Sequence, residues 1–276
     1  MQGRLLPPVD GRIQAFPASA WHREFQLARA AGVDGIEWIY EEPGAAENPL
    51  GSDAGLARMG ALTQQHGVRV DSLCADWFMD RPLLAEGDEA RRVGIEKLRW
   101  VLTRAAAAGI RRVVLPFVDA SALRDERAVN EATRLIASTL PVLDEVMVEL
   151  HLETSLPPEE FAALLERIDH PRLRANYDTG NSASLGYDSR EEFAAYGARV
   201  GSVHVKDRVL GGGTVPLGQG AADLELVFAL LHERGWERPL VLQTARGQEG
   251  LEAETVRADT DHVRRLWARS GSRAWT

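Results

Sequence analysis

Six short apolar segments of this chain end in polar residues, and those residues are the ones equipped for chemistry. They read Gly35-Ile36-Glu37-Trp38, Ser72-Leu73-Cys74-Ala75-Asp76, His151-Leu152-Glu153-Thr154, Asn176-Tyr177-Asp178-Thr179, His204-Val205-Lys206-Asp207-Arg208 and Gln243-Thr244-Ala245-Arg246. Side chains alternate across a strand. His151 and Glu153 therefore share a face, as do Asn176 and Asp178, and His204 and Lys206. If those faces point to one centre, Glu153, Asp178, His204 and Gln243 converge from four consecutive strands. Two carboxylates, one imidazole and one amide oxygen suit a single divalent ion such as Mn²⁺, Mg²⁺, Co²⁺ or Zn²⁺. The ligands are scattered, so their spacing alone is no metal signature.

Each residue also has a plainer reading. Glu37 fits a structural ion pair as well as a site. His151 reads as a hydrogen-bonded neighbour that orients a ligand. Cys74 reads as a small buried filler rather than a nucleophile. Lys206 and Arg208 could be solvated loop charges. Asp178 before Thr179-Gly180-Asn181 could simply cap a helix. Gly211-Gly212-Gly213 reads as a loop rather than a phosphate cradle, because no helix N-terminus follows it.

The elements that must position these residues alternate strictly. Candidate strands are 1–6, 33–39, 68–74, 111–117, 146–153, 172–178, 200–206 and 239–243. Candidate helices lie near 19–31, 52–66, 88–108, 126–143, 158–168, 189–198, 222–234 and 255–269. Ser19 and Pro157-Pro158 mark helix starts. Gly32, Gly67, Gly109 and Gly235 each close a helix just before a strand. The first turn carries no G-x-G-x-x-G fingerprint, which disfavours a nucleotide-binding sheet. Eight repeats in 276 residues suit one (β/α)8 TIM barrel, read here as a single domain over 1–276. The longest irregular stretches, 40–51, 76–88 and 207–221, then fall at the mouth where barrel sites sit.

Composition removes several function classes. The net charge is −9, and no run of Lys or Arg exceeds two residues, so nucleic acid is not an expected partner. No stretch approaches the ~20 apolar residues of a membrane span. The single cysteine permits no disulfide framework, and the start of the chain does not read as a signal peptide. The expected setting is cytoplasmic.

These motifs, with Pro216-Leu217-Gly218-Gln219-Gly220, resemble the sugar phosphate isomerase/epimerase group of the xylose isomerase-like TIM-barrel superfamily. The resemblance spans nearly the whole chain, from Gln2-Gly3-Arg4-Leu5 to Thr244-Ala245-Arg246. It implies a divalent-metal-dependent isomerase or epimerase acting on a small sugar, sugar phosphate or related hydroxy-carbonyl compound. Ketose 3-epimerases of that superfamily bind one metal through Glu, Asp, His and a second Glu, which carry over to Glu153, Asp178, His204 and Gln243. Gln243 departs from the pattern. An amide oxygen can ligate, but the side chain is no base near neutral pH. Symmetric two-base epimerisation is therefore in doubt, and Lys206, His151 or Glu37 stand as alternative second groups.

The chemistry implied is abstraction of a proton by Glu153 beside a polarised carbonyl, with the enediolate stabilised by Lys206. Arg4, Arg208 and Arg246 would hold a phosphate or carboxylate, which favours an anionic substrate. Glu37, Cys74, His151 and Asn176 complete the expected substrate pocket. A lyase or dehydratase on a keto-sugar or inosose, and a sugar-binding barrel without turnover, are the alternatives. A DNA-repair endonuclease of the same superfamily is disfavoured by the acidic charge and by only two strand-end histidines. Related barrels commonly form dimers or tetramers, so a homo-oligomer is also implied, with no interface defined.

Overall fold

A computed structural model describes residues 1–271. The last five residues of the expected 1–276 domain lie outside the described residues. Among the described residues, seven strands form one parallel sheet: β1 (Gly35–Ile39), β2 (Arg69–Cys74), β3 (Arg112–Phe117), β4 (Glu149–Thr154), β5 (Leu173–Asp178), β6 (Val200–Val205) and β9 (Leu240–Leu242), in that order. The short strands β7 (Asp207–Arg208) and β8 (Thr214–Val215) make a separate antiparallel hairpin. Around them run α1 (Glu24–Ala31), α2 (Asp53–His66), α3 (Trp77–Asp80), α4 (Asp88–Ala107), α5 (Glu126–Ala137), α6 (Leu140–Val146), α7 (Pro158–Ile168), α8 (Thr179–Leu185), α9 (Ser189–Tyr196), α10 (Leu224–Glu233) and α11 (Glu252–Ser270).

The N-terminal segment closes the seam between β1 and β9. Gln2 pairs in parallel with Glu37. Its amide donates to Leu242 O at 3.1 Å, and the Glu37 amide donates to Met1 O at 2.9 Å. The expected strand over 1–6 is therefore reduced to a bridge at Gln2. Gly3, at φ +54, turns the chain out of the barrel wall, and a Cβ there would meet Ile39 Cδ1 at 2.5 Å.

Three other expectations are corrected. The first helix opens as a 3₁₀ turn at Trp21–Arg23, and Ser19 does not cap it. The helix expected over 126–143 breaks after Ala137, because Pro141 has no N–H and is tolerated only in the first turn of α6. The strand expected from 146 starts at Glu149, since Met147 takes a left-handed conformation at φ 58.

One face of each strand builds the apolar core. Leu150, Leu152, Leu173, Ala175, Val203 and Val205 are wholly buried. The alternate face is polar and equally buried: His151, Asn176, Ser202 and His204, with Gln2, Glu37, Ser72 and Gln243 from the other staves. A buried polar group left without a partner costs about 1–3 kcal/mol, so this interior depends on a connected network.

The lower end of the network is held by Glu149. Its carboxylate accepts from Arg238 at 2.5 and 3.0 Å and lies 3.1 Å from His151 Nε2. Burial opposes the charge, but bonding to His151 and Arg238 outweighs it and holds the carboxyl well below its ordinary range. A depressed pKa stabilises the fold above the unfolded value near 4.5 and loses that contribution as the pH falls toward the folded one. Glu149→Gln is expected to cost about 1.5–3 kcal/mol at pH 7, by loss of charge-assisted bonds. Thermal melts should show the deficit at pH 7 and show it shrinking below pH ~4; an equal deficit at both would remove the charge from the explanation.

Candidate metal centre at the barrel mouth

Glu153, Asp178 and His204 stand at the C-terminal ends of β4, β5 and β6. Each offers a ligand atom, and these atoms lie within 4.8 Å of one another, all buried. His204 Nδ1 lies 3.4 Å from Glu153 and 3.9 Å from Asp178 Oδ2. Lys206 Nζ donates to Gln243 Oε1 at 2.6 Å and to Asp178 Oδ2 at 3.4 Å. Three of the four residues expected to converge thus share one small space, and Gln243 is linked to it through Lys206.

Three of the four have their second polar atom tied back to the protein. Asp178 Oδ1 accepts from the amides of Gly180 (2.9 Å) and Asn181 (2.8 Å), capping α8, which leaves Oδ2 facing inward. The cap and the site are therefore not rival roles for Asp178. His204 Nε2 lies 2.7 Å from Glu37 Oε1, which leaves Nδ1 toward the carboxylates. Gln243 Nε2 donates to Gln2 Oε1, so its own oxygen turns to Lys206. A carboxylate behind a histidine of this kind sets ring orientation and tautomer. This donor set fits a divalent cation that accepts mixed oxygen and nitrogen ligands.

The electrostatics of the pair are strong. Burial disfavours a charged ring at His204, yet the Glu37 and Glu153 carboxylates outweigh it and raise its pKa to about 10. Burial also disfavours charge on Glu37, but the His204 charge and bonds from His204 and Ser72 hold its pKa below the ordinary value. Glu37 is wholly enclosed on the far side of His204. The structure therefore corrects its expected substrate contact: it orients His204 instead.

His151 is likewise not at the mouth. Its Nδ1 lies 2.7 Å from Ser202 Oγ, and Ser202 donates to Asn176 Oδ1 at 2.6 Å. Asn176 Nδ2 in turn lies 2.9 Å from Glu153 Oε2 and 3.1 Å from His204 Nδ1. His151 and Asn176 are thus links in a chain from Glu149 to Glu153, and their expected substrate contacts are corrected accordingly.

The arginines divide. Arg208 lines the mouth, with Nε on Gly212 O (2.9 Å) and Nη1 on Asn181 Oδ1 (2.8 Å). Gly212 sits in the tight β7–β8 turn rather than in a free loop. Arg4 and Arg246 go elsewhere. Arg4 is buried on the carbonyls of Thr244 and Gln2. Burial, then Arg246, lower its pKa to about 9. Arg246 clamps the carbonyls of Ile13, Leu6 and Gly3. Both staple the N-terminal segment, which corrects their expected role as anion holders.

Asn181 was not singled out from the sequence, although it follows Asp178 closely in Asp-Thr-Gly-Asn. The α8 turn brings its Nδ2 to within 2.7 Å of Glu153 Oε1. Asp76 lies at the mouth and accepts from Gln14 at 2.5 Å. Cys74 lines the same cavity as a neutral thiol. Burial first, and then the charges of Asp76, Glu37 and Glu153, push its pKa well above 9. The cavity holds about 470 Å³ and runs from Glu153, Lys206 and Gln243 across to Cys74, Asp76 and Asp119.

The sequence profile of the xylose isomerase-like TIM barrel matches residues 25–266. The chain belongs to that family. As a xylose isomerase-like barrel it is 27% identical, over 96% of both chains, to the L-ribulose-5-phosphate 3-epimerase UlaE of Escherichia coli. Among solved structures of the same barrel, L-ribulose 3-epimerase superposes with a TM-score of 0.77 at 16% identity, covering 93% of this chain and 91% of that one. The IolI protein with a bound zinc atom superposes at 0.75 and 17% identity, covering 91% and 94%. These likenesses in structure establish the fold. Among the described residues, no helix is long and apolar enough to cross a membrane.

Proposed function

We propose that this protein is a divalent-metal-dependent isomerase or epimerase of a small sugar, working through an enediolate. The observation that carries the reading is the convergence of Glu153, Asp178 and His204 at the mouth of this barrel. The epimerases among its relatives support the reaction class. Glu153, Asp178 Oδ2, His204 Nδ1 and Gln243 Oε1 would hold the cation. When bound, it would polarise a carbonyl and acidify the adjacent C–H.

The protein's own residues do the rest. Glu153 takes the proton from that carbon, its carboxylate aimed by Asn176 and Asn181. The Lys206 ammonium sits where negative charge develops on the substrate oxygen. Gln243 cannot serve as a second base. Return of the proton from Glu153 to the former carbonyl carbon, with the proton of the adjacent hydroxyl passing to the former carbonyl oxygen, gives isomerisation. Return to the opposite face of the same carbon requires another acid at the mouth. His151 and Glu37 are enclosed on the far side of the ligands, so they do not supply it.

The test is made on purified protein loaded with Mn²⁺, Co²⁺, Mg²⁺ or Zn²⁺ in turn. One ion per chain should bind, chelation should remove it, and a ketose in D₂O should gain deuterium beside its carbonyl. A loaded, folded protein that exchanges no proton with any ketose or inosose would end the reading.

A further inference from the structure

The cavity is polarised along its length. At one end stand the groups at the tops of β4, β5, β6 and β9, where the reacting carbonyl would be held. The opposite wall is built from the segments that follow β1, β2 and β3. It carries Glu41, Asp76, Asp80 and Asp119. Arg12 is the one cation among the described residues lining that wall, and both its outer nitrogens bind Glu41, at 2.8 and 3.1 Å. That pair cancels. Lys206 and Arg208 lie at the other end, Lys206 against Asp178 and Arg208 against Asn181.

We infer that the substrate is an uncharged polyhydroxy ketone, neither phosphorylated nor carboxylated, whose hydroxyl tail is read by the carboxylates beyond β2 and β3. This inference rests on the function proposed above. A sugar gripped at its carbonyl end must lay its tail against that wall. Ionised carboxylates are acceptors only, and sugar hydroxyls are donors that match them. A phosphate dianion in the same place brings acceptor oxygens and two like charges, without a free cation to meet them. Like charges brought together are disfavoured, most of all at the partly buried Asp76 and less at Asp80 and Asp119, which are exposed and so partly screened.

Asp76 itself is costly to ionise at that wall, chiefly because of burial. Burial, and then the charges of Glu41 and Glu153, push its carboxyl up to about 6, although bonds from Cys74 and Gln14 pull the other way. A group already in place there resists carrying negative charge. Of the arginines that pointed to an anionic substrate in the sequence, Arg4 and Arg246 are committed to backbone carbonyls, and Arg208, which does line the cavity, is held at the metal end on Asn181 Oδ1 and Gly212 O rather than at the acidic wall.

The experiment compares free ketopentoses and ketohexoses with their terminal phosphate esters, using the metal-loaded protein. Deuterium wash-in and product formation are followed by NMR. The free ketoses should be favoured in kcat/KM by about 100-fold or more. Asp76→Asn with Asp119→Asn should narrow that ratio by about tenfold, by raising KM for the free sugar and lowering it for the ester. Equal or better turnover of the phosphate ester by the wild type would overturn the inference while leaving the proposed reaction standing. An unchanged ratio in the double variant would also overturn it, since the wall would then not be reading charge. Exchange with neither class would remove the reaction itself, a distinct failure.

Discussion

Glu153→Gln is expected to lower proton exchange into substrate by about 10³-fold, within the 10²–10⁴ range of a positioned general base. The side chain keeps its size, and the protein should fold. Its two oxygens each accept from an asparagine amide, Asn181 at 2.7 Å and Asn176 at 2.9 Å. Glutamine would set an NH₂ against one of those donors, so the side chain must also turn. The loss should appear in kcat more than in KM, because the proton is transferred only in the transition state. Glu153 is also a proposed ligand, so metal content is measured on the same sample. Exchange near the wild-type rate in a metal-replete variant would strip Glu153 of its role as base. The companion change, Gln243→Glu, should keep the ion and place a second carboxylate at the mouth; loss of the ion would argue against ligation by Gln243.

His204→Ala should abolish metal binding and also weaken the fold. It leaves the Glu37 carboxylate buried with no imidazole at 2.7 Å, and breaking a buried pair in this way costs about 3–5 kcal/mol. A variant that fails to fold is separated from one that merely fails to bind by the double change His204→Leu with Glu37→Leu. That change removes both charges, and it should restore much of the stability but none of the metal affinity. The pH dependence has a definite sign. In the metal-free protein His204, raised to about 10 from 6.5, stabilises fully below 6.5 and progressively less as the pH climbs to 10. Glu37, lowered from 4.5, stabilises above 4.5 and loses that contribution as the pH falls through its folded value. The pair therefore contributes most between pH 4.5 and 6.5. Cation binding at Nδ1 displaces the ring proton, so affinity should rise with pH up to about 10. Calorimetry in buffers of different ionisation enthalpy would measure that proton. An affinity flat from pH 6 to 9 would show that His204 is not a ligand.

The fold was legible because each repeat repeats its own punctuation. Gly32 and Gly67 take the left-handed conformation that ends a helix, at φ 75 and 64, and a strand follows each. The convergence of Glu153, Asp178 and His204 was legible because strand alternation puts them on one face near the C-terminal ends of their strands. Depth within the barrel was not. His151 and Asn176 share that face too, but they serve Glu153 from beneath it. Nor does alternation say whether an arginine meets solvent, substrate or a carbonyl. Arg246 shows this, with three nitrogens on three backbone oxygens of a segment more than 230 residues away. Asn181 was hidden for another reason: it lies past the strand end, and only the Asp178 cap folds it back.

The stapled seam also constrains biosynthesis. Arg4 reaches Thr244 and Gln243 reaches Gln2 across separations of 240 and 241 residues. Such distant partners make closure a late event. At roughly 5–20 residues per second, a ribosome needs on the order of 10–50 seconds between making the first partner and the last. Throughout that interval the nascent barrel has an open edge beside β1, and the catalytic mouth lacks its Gln243 wall. Activity therefore should arise only after nearly the whole chain has been translated, and nascent fragments ending before residue 243 are the ones for chaperones to shield.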